Sequence, residues 1–223
     1  MTKHTLTILA LFVAVTAEAQ TGVSDDRVSL PDGPGSLEGI GESANVNPNM
    51  GQLSHEVKVQ VPRGYPGLAP EVSLNYSSGL GSGLLGVGWN ISYPYIERLT
   101  LRGLPEYATD DEFTANGGEQ LVLLPGTNPP TYRARMEKGF VRYRWYGAAN
   151  GKDGYWTAEY ANGGVGYFGA DHEGTLVTNS RVGGTEGTYR YHLTEMSDRY
   201  GHTIKYTYTK YGNVAYPLHI GWV

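Results

Sequence analysis

The chain has 223 residues, a net charge of −5 at neutral pH, 32 glycines, 18 tyrosines and no cysteine. Without cysteine there is no disulfide framework, thiol nucleophile, cysteine-based zinc site or lipoprotein-type anchor, so burial alone must hold the fold. A mildly acidic, unclustered charge excludes the basic stripe on which a nucleic-acid partner depends.

The first segment, "MTKHTLTILALFVAVTAEAQ", carries Lys3 and His4, an apolar run from Leu6 to Val15, and Ala17-Glu18-Ala19 before Gln20. That is the plan of a secretory signal peptide over residues 1–19, and the run is too short to cross a hydrocarbon core of about 30 Å. The expectation is cleavage after Ala19 and a mature chain that is secreted or periplasmic; losing one Lys and one Glu leaves its charge at −5. No later stretch has the roughly 18 uninterrupted apolar residues of a membrane helix. Residues 20–38 read as an extended linker, with Pro31 and Pro34 among several glycines.

From Gly39 onward the pattern is that of a β domain. "HEVKVQVP" sets Val57, Val59 and Val61 against Glu56, Lys58 and Gln60, a half-buried strand ended by Pro62. "EVSLNYSS" repeats the alternation through Val72, Leu74 and Tyr76. Then comes "NYSSGLGSGLLGVGWNISYP", with five glycines before Trp89. It has no lysine, so it is no P-loop, and the GxGxxG from Gly81 leads into strand-like sequence rather than a helix. In a β protein such glycines mark bends and close backbone approaches, here delivering Trp89 to the core.

Further alternation appears at Val141, Tyr143 and Trp145, and at Trp156, Ala158 and Tyr160 before the "ANGG" hairpin signal. Beyond that hairpin Val165 and Tyr167 resume it, followed by Tyr189, Tyr191 and Leu193, then Ile204, Tyr206 and Tyr208. No segment beyond the leader has a helical period. The fold class is therefore all-β, a meander of antiparallel hairpins with Gly-rich loops, expected to stay open rather than close into a barrel. The sequence stops at "YPLHIGWV", inside an apparent strand, which points to a β domain over 39–223 truncated at its C-terminal end or awaiting a partner edge.

Catalytic constellations are weak. Asp110, Asp111 and Glu112 are adjacent and cannot all face one substrate. Asp171-His172-Glu173 before Gly174 has hairpin-tip composition, although it also offers metal ligands. His192 and His202 could meet across a hairpin, and Ser77-Ser78-Gly79 is not the hydrolase elbow. No catalytic, cofactor-binding or metal-binding residue is assigned, and the chain reads as no enzyme. Tyr143, Trp145, Tyr146, Tyr155, Trp156, Tyr160, Tyr167, Tyr189 and Tyr191 form either strand-face packing or a platform for a glycan or host surface.

Spaced residues tie the chain to a known family. Pro70, Leu74, Tyr76, Ser78, Gly79, Gly81, Gly83, Gly86, Gly88, Trp89, Ile96 and Arg98 follow in the order of the amino-terminal region of the Salmonella virulence-plasmid B-protein (SpvB) family. "GLPEYATDDEFTANGGEQLVLL" continues it, and "LTEMSDRYGHTIKYTY" resembles its later strand-turn-strand, with His202 where asparagine is usual. The same region occurs in B components of insecticidal toxin complexes. The resemblance implies part of a larger β-rich shell built with RHS-type (YD) repeats, with a downstream repeat region or a toxin chain as partner. It also implies that the ADP-ribosyltransferase unit of the virulence-plasmid relatives is a separate C-terminal domain. The expected role is a non-catalytic exported scaffold, and the alternative is a secreted carbohydrate- or surface-binding module.

Overall fold

A computed structural model describes residues 45–47, 51–62, 64–65 and 68–222. The expected signal peptide at 1–19 and the expected linker at 20–38 lie outside the described residues. Alternating apolar and polar residues, punctuated by glycine, produce strands and turns throughout. The one helical element among the described residues is the 3₁₀ turn Thr178–Ser180.

The strands β1 (Asn45–Asn47), β2 (Gln52–Lys58) and β3 (Ser73–Ser77) are followed by a small hairpin of β4 (Ser82–Gly83) and β5 (Gly86–Val87), then by β6 (Trp89–Ser92). Strands β1, β2, β3 and β6 form a four-stranded antiparallel sheet in that order. The β2 strand ends sooner than the valine alternation implies, and Val59 is 43% exposed.

Trp89 is half-buried, not a core residue. The β3–β6 register sets it opposite Tyr76, with ring centroids 5.2 Å apart and His55 at its edge at 6.4 Å. Cross-strand partners share a face, so Trp89 packs on its own small sheet. The glycines serve this packing. Gly88 has φ +77°, and a Cβ there would stand 2.5 Å from the Tyr76 ring and 3.1 Å from the Ser77 carbonyl oxygen.

Strands β7 (Tyr95–Arg98), β8 (Phe113–Ala115), β9 (Glu119–Leu124), β10 (Thr131–Ala134), β11 (Arg142–Tyr146), β12 (Tyr155–Glu159) and β13 (Val165–Phe168) form the expected meander. After β14 (Arg181–Gly183), the long strand β15 (Thr188–Ser197) pairs with β7 through Arg190↔Glu97 and with β13 through Gly166↔Met196. The meander therefore does not stay open. Strands β7 to β13 and β15 make a closed eight-stranded barrel, each strand paired on both sides. A final hairpin of β16 (Thr203–Tyr211) and β17 (Val214–Trp222) extends from β15.

Aromatic side chains fill the barrel. Trp156, fully buried, meets the rings of Phe113, Tyr132 and Trp145 at 4.8, 4.9 and 5.3 Å, and Trp145 meets Tyr191 at 5.5 Å. On β13 the inward residues are Gly166 and Phe168, not Val165 and Tyr167. The pairs Trp156↔Phe168 and Ala158↔Gly166 require this, because directly opposed residues lie on one face. Glycine at the inward position left the apolar alternation on the outer one.

The loop between β2 and β3 reaches the end of the β16–β17 hairpin and the turn before it. Tyr65 stacks on His202 at 3.6 Å, and the Trp222 indole N–H donates to the Pro62 carbonyl at 3.1 Å.

Candidate functional site

The acidic run 110–112 is dispersed. Asp111 turns inward to pair with the Arg98 guanidinium, and its Oδ1 accepts the Glu106 N–H at 3.1 Å. Glu112 instead meets Arg102 at 3.2 Å and Gln120 at 3.1 Å, while Asp110 is exposed. Arg98 is only 1% exposed; its Nε donates to the Thr188 carbonyl at 3.0 Å and its Nη2 to the Ala149 carbonyl at 2.6 Å. The cation also lies 5.0 Å from the ring centres of Tyr107 and Phe113. Asp111 is therefore the counter-ion of a buried structural cation.

At the 171–175 tip, Asp171 Oδ1 accepts the N–H groups of Glu173 at 3.0 Å and Thr175 at 2.8 Å, an Asx turn. His172 Nδ1 sits 2.9 Å from Glu195, whose hydrogen bond and charge raise the imidazole pKa. The described residues contain no group of three or more His, Cys, Asp or Glu arranged to hold a metal ion. His192 and His202 do not meet. His192 stacks near Tyr208 at 5.3 Å, while His202 is held by Asp198 at 2.8 Å in the β15–β16 turn. Ser77 accepts a hydrogen bond from Gln52 at 2.5 Å, and Ser78 Oγ accepts the Leu53 N–H at 2.9 Å.

The nine aromatics separate by face. Tyr143, Trp145, Trp156 and Tyr191 fill the barrel, with Tyr160 packed against that core. Burial pushes the Tyr191 phenol up to about 12, so it stays protonated. Tyr146 and Tyr155 stack at 5.0 Å outside the barrel, with Tyr167 also outward on β13. Tyr189 lies elsewhere, on β15.

Sequence reasoning missed a cleft of about 960 Å³ where the small sheet meets the barrel. β6 contributes Asn90, the β6–β7 link Tyr93, β7 Tyr95, the β8–β9 turn Asn116, and β15 Arg190 and His192. Asn116 adopts φ +51°, and its Oδ1 accepts the Tyr95 N–H at 3.0 Å. Arg190 is neutralised by Glu97 at 2.6 Å and rests 4.4 Å above the Tyr95 ring. His192 is 3% exposed, its ring 5.0 Å from that of Tyr93, and its Nδ1 is buried without a hydrogen-bond partner. Burial first, then the Arg190 charge, push this imidazole down to about 3, so it is neutral at physiological pH. Asn90 and His192 lie some hundred positions apart, so no spacing motif announces the cleft. The one local signal is the Asn116-Gly117 turn.

The sequence profile described as Salmonella virulence plasmid 65kDa B protein (SpvB) matches residues 47–218. The mono(ADP-ribosyl)transferase SpvB of Salmonella choleraesuis (strain SC-B67) is 32% identical over an alignment of 157 residues that covers 60% of this chain and 25% of that protein. The enzyme of the same name from Salmonella typhimurium (strain 14028s / SGSC 2262) is 37% identical over an alignment of 119 residues that covers 44% of this chain and 20% of that protein. The chain thus spans a quarter or less of the length of these curated relatives. Among solved structures, a crystal structure of TcdB2-TccC3 aligns with TM-score 0.69 and 25% identity, covering 87% of this chain and 11% of that one. The N-terminal domain of effector protein SpvB from Salmonella typhimurium strain LT2 shares the fold, with TM-score 0.63 at 23% identity, over 74% of this chain and 63% of that one. A profile match from β1 into β17, on a fold shared with these structures, establishes that the chain belongs to the SpvB family.

Proposed function

We propose that this chain is a non-catalytic, exported structural module of the virulence and toxin-complex type, contributing a β unit to a larger shell or carrier. The observation that carries this reading is the asymmetry of the TcdB2-TccC3 match, which covers 87% of this chain but only 11% of the other. Two further observations support it. One solved relative, 63% of which this chain covers, is an N-terminal domain of SpvB, which supports placing the transferase activity in the relatives' names in another part of those proteins. Four of the candidate acids and imidazoles also have structural partners: Asp111 with Arg98, Asp171 with its own turn, His172 with Glu195 and His202 with Asp198. The proposed partner is a toxin chain or an RHS/YD-repeat region, reached after signal cleavage before Gln20.

The test is co-expression with a YD-repeat chain from the same genome in a Gram-negative host, followed by size-exclusion chromatography and N-terminal sequencing. A stoichiometric complex, a mature N-terminus at Gln20 and no transfer of labelled ADP-ribose from NAD to host-lysate proteins are expected. NAD-dependent labelling, or an unprocessed monomer that ignores the repeat chain, overturns the proposal.

A further inference from the structure

We propose that the cleft beside His192 binds a neutral oligosaccharide. This inference is independent of the shell role, since it rests on the cleft alone.

Its volume of about 960 Å³ lies at the upper end of small-molecule sites, which run from roughly 300 to 1,000 Å³. That space suits several linked sugar rings. The walls present tyrosine rings that are far apart in the chain: Tyr93 in the β6–β7 link and Tyr95 on β7, Tyr189 on β15 and Tyr216 on β17. Such rings offer apolar faces to the C–H faces of pyranoses and phenol groups to their hydroxyls, with little side-chain entropy to lose. Between them stand the carboxamides of Asn90, Asn116 and Asn213, each able to donate and accept at once. A hydroxyl-rich ligand needs both directions of hydrogen bonding.

Charge decides against an anionic ligand. Among the described residues the one arginine of the lining, Arg190, already has its counter-ion in Glu97 at 2.6 Å, and its face is covered by Tyr95. A second lining charge, Glu71, is exposed and negative. A sialylated or sulfated chain would therefore meet no free cation and one repelling carboxylate. In the same wall the buried Nδ1 of His192 has no partner. Unmet buried polar atoms are uncommon in native folds, and an ordered water or ion commonly accounts for one.

The experiment is a glycan array bearing neutral, sialylated and sulfated oligosaccharides, probed with the fluorescently labelled full chain. The strongest neutral oligosaccharide is then titrated by saturation-transfer NMR. Retention on neutral oligosaccharides is expected, with affinity reduced about tenfold in Tyr189→Ala and in Tyr216→Ala, the loss of one stacking ring. Asn213→Ala, in the exposed β16–β17 turn, weakens binding without touching the fold and so stands in if either tyrosine variant misfolds. An array silent on neutral oligosaccharides overturns the proposal. So does retention on anionic glycans alone, or undiminished binding by folded Tyr189→Ala, Tyr216→Ala and Asn213→Ala.

Discussion

A guanidinium that is 1% exposed must have its charge and its donors met inside the protein, and Arg98 achieves this with Asp111, two backbone carbonyls and two aromatic faces. Asp111→Ala leaves the cation uncompensated and should cost about 3–5 kcal/mol, read as a shift in the urea midpoint. The pair Arg98→Met with Asp111→Leu should recover part of that loss, because no buried charge remains. Glycine gives a second comparison. Gly88→Ala forces a Cβ into the Tyr76 ring at φ +77°, whereas Gly81 has nothing within 4 Å of its own Cβ position. Gly88→Ala should lower the melting temperature and Gly81→Ala should leave it unchanged. His192 supplies a pH dependence. Its folded pKa, about 3, is below the ordinary value of 6.5, so the unfolded chain takes up the proton first. The associated stability is complete above pH 6.5 and drains away as pH falls toward 3. His172, raised by Glu195, acts in the opposite sense and loses its contribution as pH rises through its folded value. Thermal melts from pH 7 to pH 4 should therefore fall less steeply for His192→Gln than for the parent, and equal slopes would remove His192 as the cause.

At the scale of elements, strand identity was legible because half-burial writes a period of two into the sequence, as at Tyr143 and Trp145 on β11 or Ile204 and Tyr208 on β16. Pairing was not legible. β15 closes the barrel by joining β7, whose Glu97 lies 93 positions before Arg190, and alternation says which face is buried without saying against what. Phase also fails where an inward residue has no side chain, which is how Gly166 shifted the apparent inner face of β13 to Val165 and Tyr167. The cleft was invisible for the first of these reasons, since it is assembled from β6, β7, β15, β17 and the turns near them. Closure itself can be tested at Gly166, where a Cβ would stand 3.2 Å from Leu193 and 3.3 Å from Phe168. Gly166→Val overfills that contact and should destabilise the barrel by about 1–3 kcal/mol. Amide hydrogen exchange should then accelerate in β13 and the facing half of β15 while β2 and β3 keep their protection. Uniform loss of protection across both sheets would instead mean that they unfold as one unit.

For the molecule as a whole, a closed barrel changes what the chain can be within a larger protein. An open meander would leave two sheet edges to be completed by neighbouring sequence, and its stability would depend on that sequence. Here the first and last strands of the meander are joined through β15, and the aromatic core around Trp156 is enclosed by the strands that supply it. The compact unit that contains them runs from Glu42 to Val223. A module of this kind should fold on its own, which is what allows one fold to recur as 11% of a TcdB2-TccC3 chain and as an N-terminal domain of SpvB. Residues 42–223, expressed without the first 41, should therefore unfold in one cooperative transition. Circular dichroism and tryptophan fluorescence should coincide, with a melting temperature within roughly 2–4 °C of the full-length chain, the shift that about 1 kcal/mol produces at this size. Non-coincident transitions, or a shorter chain that fails to fold, would show that the first 41 residues or a partner complete the unit, and the independent module would have to be given up.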